Sequence, residues 1–131
     1  MNEWVWVETR DVLAIHEMQL SEHGGADGIR DRGLLESALA RPQNLAAYGD
    51  PDVAALAAAY TFGIAGNHPF VDGNKRAALV VLEFFLALNR HALAADDVQC
   101  VLTILALADG SLPEADLAEW IRRNIAVEPS G

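Results

Sequence analysis

Residues Ala77 to Leu88 read AALVVLEFFLAL, a run whose only polar member is Glu83. As a helix it has no face to give to water, so other helices must enclose it. It falls short of the roughly 20 apolar residues needed to cross a bilayer, and is read as a buried helix. A second apolar segment, AALAAAY from Ala54 to Tyr60, precedes it. Two such helices commit the chain to a helix-on-helix core. The expected fold is all-α: a compact helical bundle, with the helix that follows the polar loop between these segments at its centre.

The remaining punctuation predicts the helices around that centre. Thr9 caps a first helix carrying Val12, Leu13, Ile15, Met18 and Leu20, which stops at Gly24-Gly25. Asp31 caps a second over 32–41, ended by Pro42. Tyr48-Gly49-Asp50-Pro51 is a turn signal, and Asp52 opens a third helix toward Gly66. Asn67 to Asp72 then form a loop, and the fourth helix starts at Gly73 or Asn74 and runs to about Asn89. A fifth spans 96–108, and Ser111-Leu112-Pro113-Glu114 has the capping-box pattern that starts a sixth. Residues 3–7, Glu-Trp-Val-Trp-Val, are the exception and predict one short N-terminal strand. The chain has 131 residues, 52% of them hydrophobic, enough for a single domain over 1–131 to bury a core without staples.

Charge narrows the partners. Nineteen acidic against nine basic residues give a net charge of −10, which repels a phosphate backbone and points to a basic protein segment rather than nucleic acid. Cys100 is the only cysteine, so no internal disulfide forms, and a reducing cytoplasm is expected. It lies in an apolar stretch and reads as a small buried thiol. The N-terminal residues lack the positive start and apolar run of a secretory signal and are expected to stay on the mature protein, and with no run long enough to span a bilayer no membrane association is expected.

Between the two apolar helices stands His68-Pro69-Phe70-Val71-Asp72-Gly73-Asn74-Lys75-Arg76. A helix beginning at Gly73-Asn74-Lys75-Arg76 points unpaired backbone N–H groups, with the positive end of its dipole, at whatever lies in front. Gly73 leaves room for close approach, and Lys75 and Arg76 add charge, so the expected anion is phosphate. Asp72 is a hard oxygen ligand suited to the Mg²⁺ that accompanies a nucleotide. His68, four residues earlier, can take a proton from a hydroxyl nucleophile. Taken singly, His68 would be a cap or a solvated side chain, Asp72 an N-cap, and Lys75 with Arg76 a solvated helix face. Their density in one loop between greasy helices argues for a shared ligand. His16, His23 and His91 stand apart from any such cluster and read as surface or capping residues.

HPFVDGNKR, residues 68–76, resembles the signature of the Fic/Doc family at every defining position. Gly24 to Asp31, Leu34 to Pro42, Asn67 before the motif and Leu88-Asn89 after it are similar to the death-on-curing branch, the Doc-type toxins of type II toxin–antitoxin pairs. The resemblance covers roughly residues 10 to 125. It implies a compact helical fold with the motif at the start of its central helix. It also implies an ATP-dependent protein kinase that phosphorylates a hydroxyl residue of translation elongation factor Tu and arrests translation. On that resemblance His68 is the base, Asp72 holds Mg²⁺ and orients His68, and Arg76 joins them as a catalytic residue. Gly73 and Asn74 line an anion hole, Lys75 and Arg76 grip the nucleotide phosphates, and Phe70 anchors the loop.

The adenylyl-transferring branch of the family resembles this motif but has glycine at the position of Lys75 and arginine at that of Leu79. Lys75 fills that space and Leu79 cannot bind phosphate, so the resemblance favours a kinase presenting the γ-phosphate of ATP. The alternatives are an adenylyltransferase and a catalytically idle module that grips a nucleotide or an antitoxin; the intact His68 speaks against the latter. The family's self-inhibitory helix, with serine or threonine four residues before glutamate, has no counterpart here. Inhibition is therefore expected from a cognate antitoxin protein whose disordered tail folds into the active groove.

Overall fold

A computed structural model describes residues 3–127. Six helices and a small two-stranded sheet follow in the order α1 (Thr9–His23), α2 (Arg32–Tyr48), α3 (Val53–Asn67), α4 (Asn74–Leu88), β1 (His91–Leu93), α5 (Asp97–Ala108), α6 (Glu114–Arg123) and β2 (Ile125–Val127). The all-α expectation holds, with the sheet as a minor addition.

Three acidic caps set the starts of α2, α3 and α5. Asp31, Asp52 and Asp96 accept from the N–H groups of Leu34, Ala55 and Gln99 at 3.0, 2.9 and 2.8 Å. Each satisfies a donor that the first helical turn otherwise leaves open. On α4, Ala77, Ala78, Val81, Leu82, Phe85 and Leu86 are buried, as its greasy sequence requires. The alanine-rich α3 is enclosed more completely still, packing against α2, α4 and α6. Tyr60 on α3 meets Phe85 on α4 at 5.0 Å between ring centroids, so the two apolar helices lock through large side chains as well as small ones. Leu35, Leu56, Ile64, Leu117 and Ile121 complete this core, each such burial contributing about 1.5–3 kcal/mol.

Several boundaries differ from the sequence reading. Residues 3–7 form no strand: Val5 exchanges backbone bonds with the Asn89 amide, at 2.9 and 3.0 Å, and Val7 N–H donates to the Tyr60 hydroxyl at 3.0 Å. Side chains of α3 and the end of α4 take the ladder bonds that a neighbouring strand would have supplied. Glu8 rather than Thr9 is the N-cap of α1, because the Asp11 carboxylate accepts the Glu8 N–H and starts the turn one residue early. Helix α2 runs through Pro42 to Tyr48. Pro42 continues the buried stripe of Leu35, Ala38 and Leu39, and burial outweighs the lost helical bond. The expected capping box at Ser111 does not form, and α6 starts after Pro113. The Ser111 hydroxyl instead donates backward to the Ala106 carbonyl, closing α5.

The unforeseen sheet is antiparallel, pairing His91 with Val127, Ala92 with Ala126 and Leu93 with Ile125. Strands this short show no alternation from which to read them. They tie the exit of α4 to the exit of α6, leaving the N-terminal end of α4 open at the opposite side for the motif.

Candidate active site

Helix α3 ends at Asn67, and His68 caps it in the left-handed conformation, φ 50° and ψ 56°. A non-glycine residue holds that geometry at a cost of roughly 1–2 kcal/mol and needs external support. The support comes from the connection between α1 and α2. Arg30 donates from Nε to the His68 carbonyl and from a terminal nitrogen to the Asn67 carbonyl, both at 2.7 Å. The same segment pairs with the motif through its backbone: Arg30 and Asp31 donate to the Pro69 carbonyl at 2.7 and 3.0 Å, and Val71 donates to Gly28 at 3.0 Å.

Pro69 and Phe70 turn into the core, Phe70 only 1% exposed. Asn74 fixes the turn that follows. Its side-chain oxygen accepts the Phe70 N–H and its nitrogen donates to the Phe70 carbonyl, each at 2.9 Å. Both ends of that buried amide are thereby spent on the loop, so what Asn74 can offer an anion is its backbone N–H. Gly73 stands at φ 79°, a conformation that favours glycine, and its N–H donates to the Asp72 carboxylate at 2.8 Å.

His16 is the residue most differently placed from its sequence reading. It is 4% exposed, neither a surface nor a capping residue. Its ring lies on Phe70, and Nε2 stands 2.7 Å from the Asp72 carbonyl, a distance at which it carries the proton and donates. Its signal in the sequence was position: four residues after Val12 and next to Ile15, on the buried face of α1. His23 is exposed in the last turn of α1, and His91 bonds the Asn89 carbonyl, in keeping with peripheral roles.

These supports shape a cleft of about 630 Å³ at the N-terminal end of α4, within the size range of ligand pockets. His68, Asp72, Gly73, Asn74, Lys75 and Arg76, from the motif loop and the start of α4, and Leu79 further on line it together with Val101, Ile104 and Leu105 of α5. All the sequence-selected site residues therefore come together, joined by an apolar wall from α5 that no motif had marked. The first intrahelical bond at this end is from Ala77 N–H to Gly73, so the amides of Asn74, Lys75 and Arg76 have no acceptor among the described residues. Lys75 and Arg76 are exposed and form no ion pair among the described residues. Free amides, a helix dipole and two free cations together make a site for a highly charged anion.

Asp72 is exposed; one carboxylate oxygen accepts the Gly73 N–H, while Ala26 N–H approaches the other at 3.3 Å. No group of three potential metal-ligating side chains exists among the described residues. A lone carboxylate beside a helix start that favours anions has the chemistry of a magnesium ligand, since magnesium takes one or two protein carboxylates and completes its shell with phosphate oxygens and water. No helix among the described residues is long and apolar enough to cross a membrane.

Residues 6–86 match the model of the Fic/DOC family. The chain is 30% identical over 118 residues to the protein kinase doc of Escherichia phage P1, covering 89% of this chain and 93% of that one. It is 40% identical over 94 residues to the toxin Doc of Mycolicibacterium smegmatis (strain ATCC 700084 / mc(2)155), covering 70% and 69%. On the motif, the fold and these matches together, the chain belongs to the Fic/DOC family, among its Doc-type members.

Proposed function

We propose that this chain is a Doc-type toxin that transfers the γ-phosphate of ATP to a hydroxyl side chain of elongation factor Tu, arresting translation in the cytoplasm until an antitoxin protein binds it. The observation that carries this reading is the shared cleft: a histidine, a carboxylate, three free helix-start amides and two free cations around one space.

In this reading His68 accepts the proton of the target hydroxyl as its oxygen attacks the γ-phosphorus. The bond from that phosphorus to the bridging β-oxygen breaks, and ADP leaves. The amides of Asn74, Lys75 and Arg76 hold the phosphate oxygens, and Lys75 and Arg76 offset their charge. Asp72 holds Mg²⁺, which when bound neutralises phosphate charge. Lys75 and Leu79, one turn apart on α4, both line the cleft, so it offers no second arginine for phosphates placed deeper along α4. That favours transfer of the terminal phosphoryl group over transfer of the nucleotidyl group.

The antitoxin reading draws on α5, where Val98, Val101, Leu102 and Leu105 are 67, 51, 61 and 46% exposed. Their i, i+3, i+4, i+7 spacing makes an apolar stripe beginning at the cleft's wall, suited to an amphipathic helix. The net charge of −10 favours a basic one.

A pair of labelled nucleotides tests the reaction. Purified protein, elongation factor Tu and Mg²⁺ are incubated with ATP labelled at the γ- or the α-phosphate. Label is expected on the factor from γ-ATP alone. Label from α-ATP would make the protein an adenylyltransferase, and label from neither would leave a binding module.

A further inference from the structure

We propose that Arg30, outside the motif, is a positioning residue for the transfer: its guanidinium locks the left-handed backbone of His68 and so directs the imidazole into the cleft. The proposal rests on the reading of His68 as the base.

Arg30 spans two consecutive carbonyls, those of Asn67 and His68, at 2.7 Å each. They lie at the negative end of α3, where a cation is favoured, and the planar fork of arginine matches two acceptors at once. Arg30 forms no ion pair among the described residues, so no carboxylate competes for this contact. Its own backbone is pinned to the Pro69 carbonyl at 2.7 Å. The side chain therefore reaches back from the far side of the loop and closes a ring around residues 67–69.

A plain helix cap would need only the Asn67 carbonyl. The second bond goes to the carbonyl of His68 itself, the residue held at φ 50° and ψ 56°. Those two angles set the direction of its Cα–Cβ bond. Released from the guanidinium, His68 relaxes toward an ordinary backbone conformation and swings its imidazole away from the reacting hydroxyl. ATP, held by the start of α4, is not displaced by that movement. The consequence is a loss in turnover without a loss in nucleotide binding.

The test compares wild type, Arg30→Gln and Arg30→Lys in label transfer from γ-ATP to elongation factor Tu, with thermal unfolding and backbone NMR shifts of His68 measured alongside. For Arg30→Gln, kcat is expected to fall about 10- to 100-fold, as small misplacements of a reacting group do, with KM for ATP near the wild-type value. The His68 Cα, Cβ and amide shifts should move while those of α4 stay in place. Arg30→Lys, which keeps the charge and reaches one carbonyl at a time, should recover part of kcat and remains informative if the glutamine variant unfolds. Unchanged His68 shifts, or kcat and KM changing only in step with the folded fraction, would overturn the proposal. Absence of label transfer by wild type strikes at the kinase reading instead, and the NMR comparison still decides whether Arg30 governs His68.

Discussion

The His16 ring stacks on Phe70 with 3.7 Å between centroids and 6° between planes, and the same imidazole holds the Asp72 carbonyl at 2.7 Å. One side chain of α1 thereby fixes both the buried anchor of the motif loop and its exposed carboxylate residue. His16→Ala removes the stack, leaves a cavity and frees a part-buried carbonyl. A loss on the order of 2 to 4 kcal/mol is expected from the cavity and the broken bond. His16→Gln, which can still donate, should lose less. Denaturant unfolding of the two variants measures this, and an alanine variant as stable as wild type would show that the stack holds nothing.

Gly25 stands at φ 124°, and a Cβ there would lie 2.8 Å from an Asp72 carboxylate oxygen and 3.1 Å from Leu20. Gly25→Ala must therefore displace the Asp72 side chain and strain the turn, costing about 1–3 kcal/mol. If Asp72 holds Mg²⁺, label transfer by the folded variant should demand more magnesium than wild type, and Asp72→Asn should behave the same way more severely. A magnesium titration identical to wild type would leave Asp72 as a cap of its own loop.

Tyr60 is fully buried with its hydroxyl on the Val7 backbone, and burial pushes its pKa from 10.0 up to about 12. Between those values the unfolded chain gives up the phenolic proton while the folded one keeps it. Its contribution to stability is thus fully present below pH 10 and is lost as pH rises through about 12. Tyr60→Phe leaves the Val7 N–H without its acceptor and should cost about 1–3 kcal/mol at neutral pH. The difference from wild type should shrink across the alkaline window, and a constant difference from pH 7 to 12 would remove Tyr60 from the alkaline transition.

The sequence was most readable where a side chain acts on its own helix. Asp31 and Asp52 open their helices as read, because capping involves only neighbours within three residues, whereas Thr9 and Ser111 lost that role to Glu8 and Pro113. The motif was readable for the same reason: His68 to Arg76 are contiguous, and the end of α3 and the start of α4 bring them to one cleft. What escaped depends on partners far along the chain. His16 contacts Asp72 across 56 residues, Arg30 contacts His68 across 38, and the bonds of Val5 lie 84 residues away on Asn89. Pro42 misled because its helix-breaking tendency is local while the burial that overrides it is tertiary.

Reaction choice gives the last prediction. Lys75 and Leu79 both line the cleft, and Leu79 is half-buried, three residues beyond Arg76 on α4. A guanidinium at 79 would project beside that of Arg76, since i and i+3 are neighbours on a helix surface, and glycine at 75 would clear the space above it. Lys75→Gly with Leu79→Arg should therefore add a second phosphate grip deeper along α4 and withdraw the one at its start. γ-Phosphate transfer is expected to fall at least about 10-fold, as the loss of a charged contact worth 1.5–3 kcal/mol implies. Transfer from α-labelled ATP is expected to become detectable. Leu79 also packs on the core, so circular dichroism and thermal unfolding must first show a folded double mutant. Leu79→Arg alone keeps Lys75 in place and separates the added grip from the cleared space. A folded double mutant that transfers γ-label at the wild-type rate and never α-label would show that these two side chains do not select the bond that breaks. The choice would then lie with the elements that present the target hydroxyl to His68.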